Sequence, residues 1–188
     1  MPLSKPAARQ ALHSRQYDFR GYRREDGLWD IEGRIHDSKT YAFDNRYRGR
    51  IEPGTPVHDM QVRLTLDDDF VIHDIEAVTE ASPFAICPQA TANYRRLIGQ
   101  RIAPGWRALL RRELGGTEGC THITEMLMAM GTVAFQTIIP FRKPSEADAG
   151  KQRPPLLNSC HAFAAEGPVV KELWPDHWTG REESKATK

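Results

Sequence analysis

The longest apolar segment of the chain, residues 121–139, constrains the fold more than any other stretch. Its apolar side chains recur at the three- and four-residue spacing of one helix face: Ile123, Met126, Leu127, Met130, Val133, Ala134 and Ile138. Pro140 ends the pattern, because proline lacks the amide donor that a helix interior needs. We therefore predict a long helix at the centre of the core, which other elements must cover.

Period-two segments predict the sheet that this helix covers. Over residues 29–36, small and apolar side chains alternate with polar ones at Trp29, Ile31, Gly33 and Ile35. Over residues 57–66, His58 shares one face with the apolar side chains, whereas Asp59 belongs to the polar face. Residues 67–69 form a turn signal, so residues 70–79 are predicted to return as the second strand of a hairpin.

Shorter helical patterns complete the predicted fold. Residues 88–98 and 104–114 have apolar side chains at helical spacing, and Gly99 and Gly115 end them. The result is an α+β fold, with a small antiparallel sheet packed against about three helices. Two late apolar pieces, residues 156–163 and 169–173, are interpreted as a second hairpin or an addition to the sheet edge.

The domain organisation follows from where apolar side chains are concentrated. Residues 1–26 are polar and rich in Arg, so we expect an extended N-terminal arm, with regular structure beginning at Trp29. Residues 27–178 are predicted to form a single α+β domain. Within this domain, residues 142–155 have the composition of a flexible loop. After it, residues 179–188 have the composition of a disordered tail.

Charge and hydropathy exclude several classes of partner. The chain has 188 residues and a formal net charge of +1, so no overall field attracts nucleic acid or an anionic membrane. No run approaches the roughly 18 apolar residues of a membrane span, and the segment after Met1 does not resemble a signal peptide. We expect a cytoplasmic protein that binds a small-molecule substrate. A homodimer is one open alternative.

Thiols at the predicted helix starts are the first candidates for chemistry. Cys87 and Cys120 each precede a helix, where the helix dipole and free amide donors favour a thiolate. On a regular helix Cys120 and His122 would point about 200° apart, so they share a site only if the first turn is irregular. Cys160 and His161 are adjacent and would face opposite sides of a strand.

His58 is the second candidate. It lies on the apolar face of its predicted strand, where a histidine acts either as a packed side chain or as a general base. Its neighbour Asp59 should point to the other face. A bulge at this position would let Asp59 orient the imidazole.

An ordered set of short motifs resembles one known family. These motifs are Pro56-Val57-His58-Asp59-Met60, Cys87-Pro88, Leu97-Ile98-Gly99, Gly105-Trp106, Gly119-Cys120-Thr121-His122 and Cys160-His161-Ala162. Together they resemble the bacterial family of unknown function numbered 2889, over roughly residues 13 to 178. The order of hairpin, Cys at a helix start and Cys/His pair before a long helix is also similar to the iron-sulfur scaffold fold of NifU and SufE type proteins.

We consider three functions. The first is a small enzyme with lyase or hydrolase chemistry on a small molecule, aromatic ones included, and His58, Asp59, Cys120 and His122 as its catalytic residues. It is either cofactorless or assisted by Zn or Fe, for which the expected ligands are Cys87, Cys120, His122 and Cys160. The second is an iron-sulfur or sulfur carrier that uses the three thiols. The third is a non-catalytic binding module with structural Cys and His.

Overall fold

A computed structural model describes residues 2–142, 154 and 156–181 of the chain. The chain divides into two compact units, residues 1–143 and residues 144–188. The first unit is an α+β domain, as the sequence predicts. The predicted single domain, residues 27–178, includes parts of both units.

A four-stranded antiparallel sheet is the framework of the first unit. Its strand order is β1-β2-β5-β6, and a separate two-stranded sheet pairs β3 with β4. The strands are β1 (His13–Arg23), β2 (Trp29–Lys39), β3 (Phe43–Asn45), β4 (Gly49–Ile51), β5 (Pro56–Leu66) and β6 (Ile72–Ala81). The strands predicted from the period-two segments are therefore confirmed, and β3 and β4 form a short hairpin between β2 and β5.

Three helices follow the sheet in the first unit: a 3-10 helix at Cys87–Leu97, α1 at Trp106–Leu114 and α2 at Thr121–Ile138. The long apolar helix α2 packs against β1, β2 and β5 on one face of the sheet. Gly21 allows the close approach, because a Cβ there would lie 1.9 Å from Oγ1 of Thr137 on α2. Within the described part of the chain, no helix has the length and apolar character that a membrane span requires.

The core lies between the sheet and these helices. The sheet contributes alternate side chains: Trp29, Ile31, Ile35, Met60, Val62, Leu64, Leu66, Ile72 and Ile75. The helices contribute one face each, chiefly Tyr94, Leu97, Leu110, Leu114, Ile123, Met126, Leu127, Met130, Ala134 and Ile138. The period of each apolar pattern thus matches the face that is buried.

Our expectation that regular structure begins at Trp29 is wrong. Strand β1 pairs with β2 along its whole length, from His13 opposite Lys39 to Arg23 opposite Trp29. Only residues 2–12 of the predicted arm precede the first strand. Because β1 is an edge strand with mostly exposed side chains, it lacks the apolar alternation by which a strand is recognised in a sequence.

The second unit is built from short helical segments. It contains 3-10 helices at His161–Phe163 and Pro175–His177, and helix α3 at Pro168–Leu173. The predicted late hairpin is therefore wrong, since apolar pieces of only eight and five residues do not distinguish a strand from a short helical segment. Trp174 packs on Phe163 with ring centroids 5.3 Å apart. Residues 143–153 and 155 of the predicted loop, and 182–188 of the predicted tail, lie outside the described residues.

Candidate functional site

Side chains from the sheet and two helix starts line one pocket in the first unit. Its volume is about 600 Å³. His58 comes from β5, Cys87 heads the 3-10 helix, and Cys120 and His122 lie at the start of α2. The structure thus brings together four of the residues that the sequence singled out.

The start of α2 is irregular in the way that a shared site requires. Cys120 is the N-cap residue and has an extended backbone, with φ −89° and ψ 128°. Its Sγ lies 3.7 Å from Nδ1 of His122. Because Cys120 stands outside the helix, the angular separation that a regular helix would impose does not apply. A thiol and an imidazole therefore contact each other at the pocket wall.

Tyr94 holds this irregular turn in place. Its buried hydroxyl accepts a hydrogen bond from the amide of Cys120 and donates to the Cys120 carbonyl, each at 2.9 Å. Burial raises the pKa of Tyr94 to about 12, so the hydroxyl keeps its proton at neutral pH. Gly119 is needed beside it, because a Cβ there would lie 2.6 Å from the Leu114 carbonyl oxygen.

His58 is oriented by a carboxylate that the sequence interpretation missed. Nδ1 of His58 lies 2.9 Å from Oδ2 of Asp37, on the neighbouring strand β2. An ionised carboxylate can only accept, so Nδ1 carries the proton and Nε2 keeps its lone pair. Arg15 of β1 donates to both oxygens of Asp37, at 2.7 Å each. Asp37 is 2% exposed and the Arg15 side chain 32%, so the carboxylate is buried while its arginine partner reaches the surface.

Asp59 has a different role from the one predicted. It lies on the opposite face of β5, where Nε of Arg34 donates to it at 2.8 Å and Nδ1 of His36 is 3.5 Å away. Successive side chains of a strand point to opposite faces, and the irregular register beside Asp59 does not reverse this. The orientation of His58 by Asp59 is therefore corrected to orientation by Asp37.

A signal for Asp37 was present in the sequence. The alternation of Trp29, Ile31, Gly33 and Ile35 reaches Asp37 if it is extended by one step. A carboxylate on an apolar face needs a partner, which marks it as a candidate for a site. Its pairing with His58 depends on strand register, for which the sequence contains no local signal.

The two imidazoles of the pocket lie against each other. The ring centroids of His58 and His122 are 3.9 Å apart. Burial lowers the pKa of both rings, and for His122 the neighbouring His58 lowers it further. Burial opposes the ionisation of Asp37, but hydrogen bonds from Arg15 and His58 hold its pKa below the ordinary value. At neutral pH the site therefore contains two neutral imidazoles beside an ionised carboxylate.

Three side chains at this site, Asp37, His58 and His122, are close enough together to be considered as metal ligands. Ligand atoms of Asp37, His58 and His122 lie within 4.8 Å of one another, and neutral imidazoles are the form that binds metal. Asp37 fits less well, because both of its oxygens already accept hydrogen bonds and the Arg15 guanidinium would repel a cation. Of the predicted metal ligands, Cys87, Cys120 and His122 line the pocket.

The fourth predicted ligand, Cys160, belongs to the second unit. It is exposed and precedes the 3-10 helix His161–Phe163, so neither Cys160 nor His161 lies on a strand.

Comparison with known families decides the kinship of the chain. The sequence model of a family described as "Protein of unknown function (DUF2889)" matches residues 13–136. The chain belongs to this family. The matched span contains Arg15, Asp37, His58, Cys120 and His122. No curated protein and no solved structure matches the chain, and the likeness to the NifU and SufE fold stays a prediction.

Proposed function

We propose that the protein is a small cytoplasmic enzyme that performs cofactorless acid-base and nucleophilic chemistry on a small molecule. The observation that supports this is a continuous series of contacts that ends in the pocket. Arg15 binds Asp37, Asp37 binds His58, His58 lies on His122, and His122 contacts the Cys120 thiol. Such a series resembles the nucleophile, base and orienting group of covalent catalysis.

Cys120 and His122 are the reacting pair in this proposal. Nδ1 of His122 accepts the thiol proton, and the sulfur attacks an electrophilic carbon that faces the pocket. The leaving group departs with a proton from an imidazole, and water then releases the bound group from the sulfur. Because a thiol nucleophile suits this two-step transfer, hydrolase chemistry is better supported than lyase chemistry.

His58 is the second acid-base group. Its bond to Asp37 selects the tautomer with a free Nε2, and burial favours the neutral ring, so it is able to accept a proton near neutral pH. Asp37 and Arg15 act through His58 and do not touch the pocket contents. They are positioning residues.

A substrate-independent experiment tests the reacting pair. Iodoacetamide labelling of the full chain, followed by peptide mass spectrometry, should modify Cys120 fastest among the three thiols. The variant His122→Gln should slow labelling of Cys120 by about tenfold or more, because the imidazole no longer removes the proton. Cys160→Ser is the control and should leave the Cys120 rate unchanged. Equal rates at Cys120 with and without His122 would contradict the proposal.

The metal-assisted form is the second candidate, favoured by the cluster of Asp37, His58 and His122. It predicts that Zn²⁺ or Fe²⁺ copurifies with untagged protein and that His122→Gln loses the metal. Metal content below about 0.2 equivalents after anaerobic purification would exclude this form.

The carrier and binding-module alternatives make different predictions. A carrier should hold a chromophore or persulfide after anaerobic reconstitution, and Cys120→Ser should lose it. A binding module with structural thiols should melt early in Cys87→Ser and Cys120→Ser, while labelling of Cys120 would not depend on His122.

A further inference from the structure

The pocket wall points to the charge of the substrate. Among the described residues, the pocket is lined by apolar side chains such as Met60, Pro83 and Ala90, by neutral polar ones and by the two histidines, with no Asp, Glu, Lys or Arg. Burial keeps both imidazoles neutral. A charged molecule would lose its hydration on entry and find no opposite charge, so the wall favours an uncharged one.

The mouth of the pocket is apolar and exposed. Phe84 and Ile86 line the pocket, yet they are 49% and 66% exposed. Tyr47, in the turn between β3 and β4, packs edge-to-face on Phe84 with ring centroids 5.5 Å apart. Large apolar side chains that cluster in water at a pocket mouth are typical of a ligand-binding surface. They offer stacking and contact area to an aromatic or aliphatic group.

Positive charge lies behind the histidines without entering the pocket. Arg15 is bound to Asp37, and Nη1 of Arg48 donates to the backbone carbonyl of Pro56 at 2.8 Å. Burial is the main cause that lowers the pKa of His58; Asp37 opposes it, and Arg15 and Arg48 make smaller contributions in the same direction as burial. Neither arginine lines the pocket, so neither offers a direct counter-charge to a charged ligand.

We propose that the pocket accepts uncharged esters or thioesters whose apolar or aromatic group lies against Met60, Phe84 and Ile86. This inference rests on the proposed function of Cys120 and His122. In the reaction, His122 accepts the thiol proton as the carbon-sulfur bond forms. The bond from the acyl carbon to the leaving oxygen or sulfur then breaks, and the leaving group takes the proton. Water hydrolyses the acylated Cys120, so one ester and one water give one acid and one alcohol or thiol.

The first experiment measures binding separately from chemistry. Two fluorescent probes share the anilinonaphthalene skeleton: N-phenyl-1-naphthylamine is neutral, and 1-anilinonaphthalene-8-sulfonate has an additional charged sulfonate group. Cys120→Ser protein should bind the neutral probe at least about tenfold more tightly, because an unpaired charge is costly to desolvate. Adding Phe84→Ala should weaken the neutral probe about tenfold. Adding Phe141→Ala, at an exposed phenylalanine outside the pocket, should not.

Equal affinity for the two probes, or no effect of Phe84→Ala on binding, would overturn the inference about the substrate. Absence of binding by either probe would do the same.

The second experiment measures hydrolysis by the wild type. The 4-nitrophenyl ester of phenylacetic acid should have a kcat/KM at least about tenfold above that of 4-nitrophenyl acetate, and 4-nitrophenyl hemisuccinate should be the poorest of the three. Phe84→Ala should lower kcat/KM for the phenylacetyl ester more than for the acetyl ester.

Loss of all three ester activities in Cys120→Ser supports the proposed function. Hydrolysis that does not depend on Cys120 would refute that function even if the neutral probe binds. Hydrolysis that depends on Cys120 but favours the hemisuccinate would refute the substrate class alone.

Discussion

Two Arg-Asp-His groups lie on adjacent rungs of the β2-β5 ladder, one on each face of the sheet. The inner group is Arg15, Asp37 and His58, and the outer group is Arg34, Asp59 and His36. Asp37 pairs with His58 in the ladder, and His36 pairs with Asp59 on the next rung. Both carboxylates accept two bonds from one guanidinium. The two groups are therefore nearly identical in composition.

Their surroundings differ in every respect that matters for chemistry. The His58 side chain is 15% exposed and lies on His122 at the pocket, whereas His36 is 33% exposed on the face opposite α2. Arg15 is 32% exposed and Arg34 52%. The comparison shows that an Arg-Asp-His set becomes a candidate site only where packing adds a cavity and a second reactive group. Matched substitutions in the two groups test this directly.

The largest expected effect is on catalysis. His58→Gln should lower kcat/KM for 4-nitrophenyl phenylacetate by about 10²- to 10⁴-fold, because a general acid-base group is lost. His36→Gln should change it by less than about twofold, since that ring lies with Asp59 on the opposite face of the sheet and does not line this pocket. Steady-state hydrolysis assays of both variants decide the matter. A similar loss in both variants would mean that the substitutions act by disturbing the pairing of β2 with β5 and not through the pocket.

The next effect is on stability. Asp37→Asn should reduce the free energy of unfolding by about 2–3 kcal/mol, because Arg15 loses its buried counter-charge. The loss is limited because part of the Arg15 side chain is exposed to water. Asp59→Asn should cost about 1 kcal/mol, as expected for an ion pair whose arginine is half exposed. Urea denaturation followed by circular dichroism measures both. Equal stability of the two variants would contradict the prediction that the inner ion pair contributes more to stability than the outer one.

A smaller effect is expected from the hydrogen bonds by which Tyr94 holds the backbone of Cys120. Tyr94→Phe should cost about 1–2 kcal/mol, because the amide of Cys120 loses its buried acceptor. It should also slow iodoacetamide labelling of Cys120. Tyr41→Phe is the control, since that ring is 43% exposed and packs against Phe43 and Lys39. An unchanged labelling rate in Tyr94→Phe would show that the irregular turn does not depend on the hydrogen bonds of Tyr94.

The smallest effect is a pH dependence of stability. Burial lowers the folded-state pKa of His58 and His122, so the unfolded chain binds more protons once the pH falls through about 6.5. The free energy of unfolding should therefore be highest above that pH and decrease as the pH falls towards the folded-state values. His122→Gln should flatten the dependence of Tm on pH. A wild-type Tm that rises on acidification over this range would contradict the assignment.

Much of the first unit could be predicted because its signals are local. The alternation in β5 placed His58 on the core face and Asp59 on the other, and both faces are confirmed. The apolar stripe predicted a helix over residues 121–139, and α2 spans Thr121–Ile138. Strand β1 escaped prediction, because an exposed edge strand is held by backbone hydrogen bonds and not by an apolar face.

The sequence by itself determined the periodic elements of the α+β fold, and the position of Cys87 and Cys120 at helix starts. Only the tertiary structure decided which groups meet. Asp37 lies 21 residues from His58, Arg15 lies 22 residues from Asp37, and Tyr94 lies 26 residues from Cys120. The physical reason is that hydrophobic periodicity is a property of one segment, whereas strand register and the packing of a helix start depend on contacts between segments.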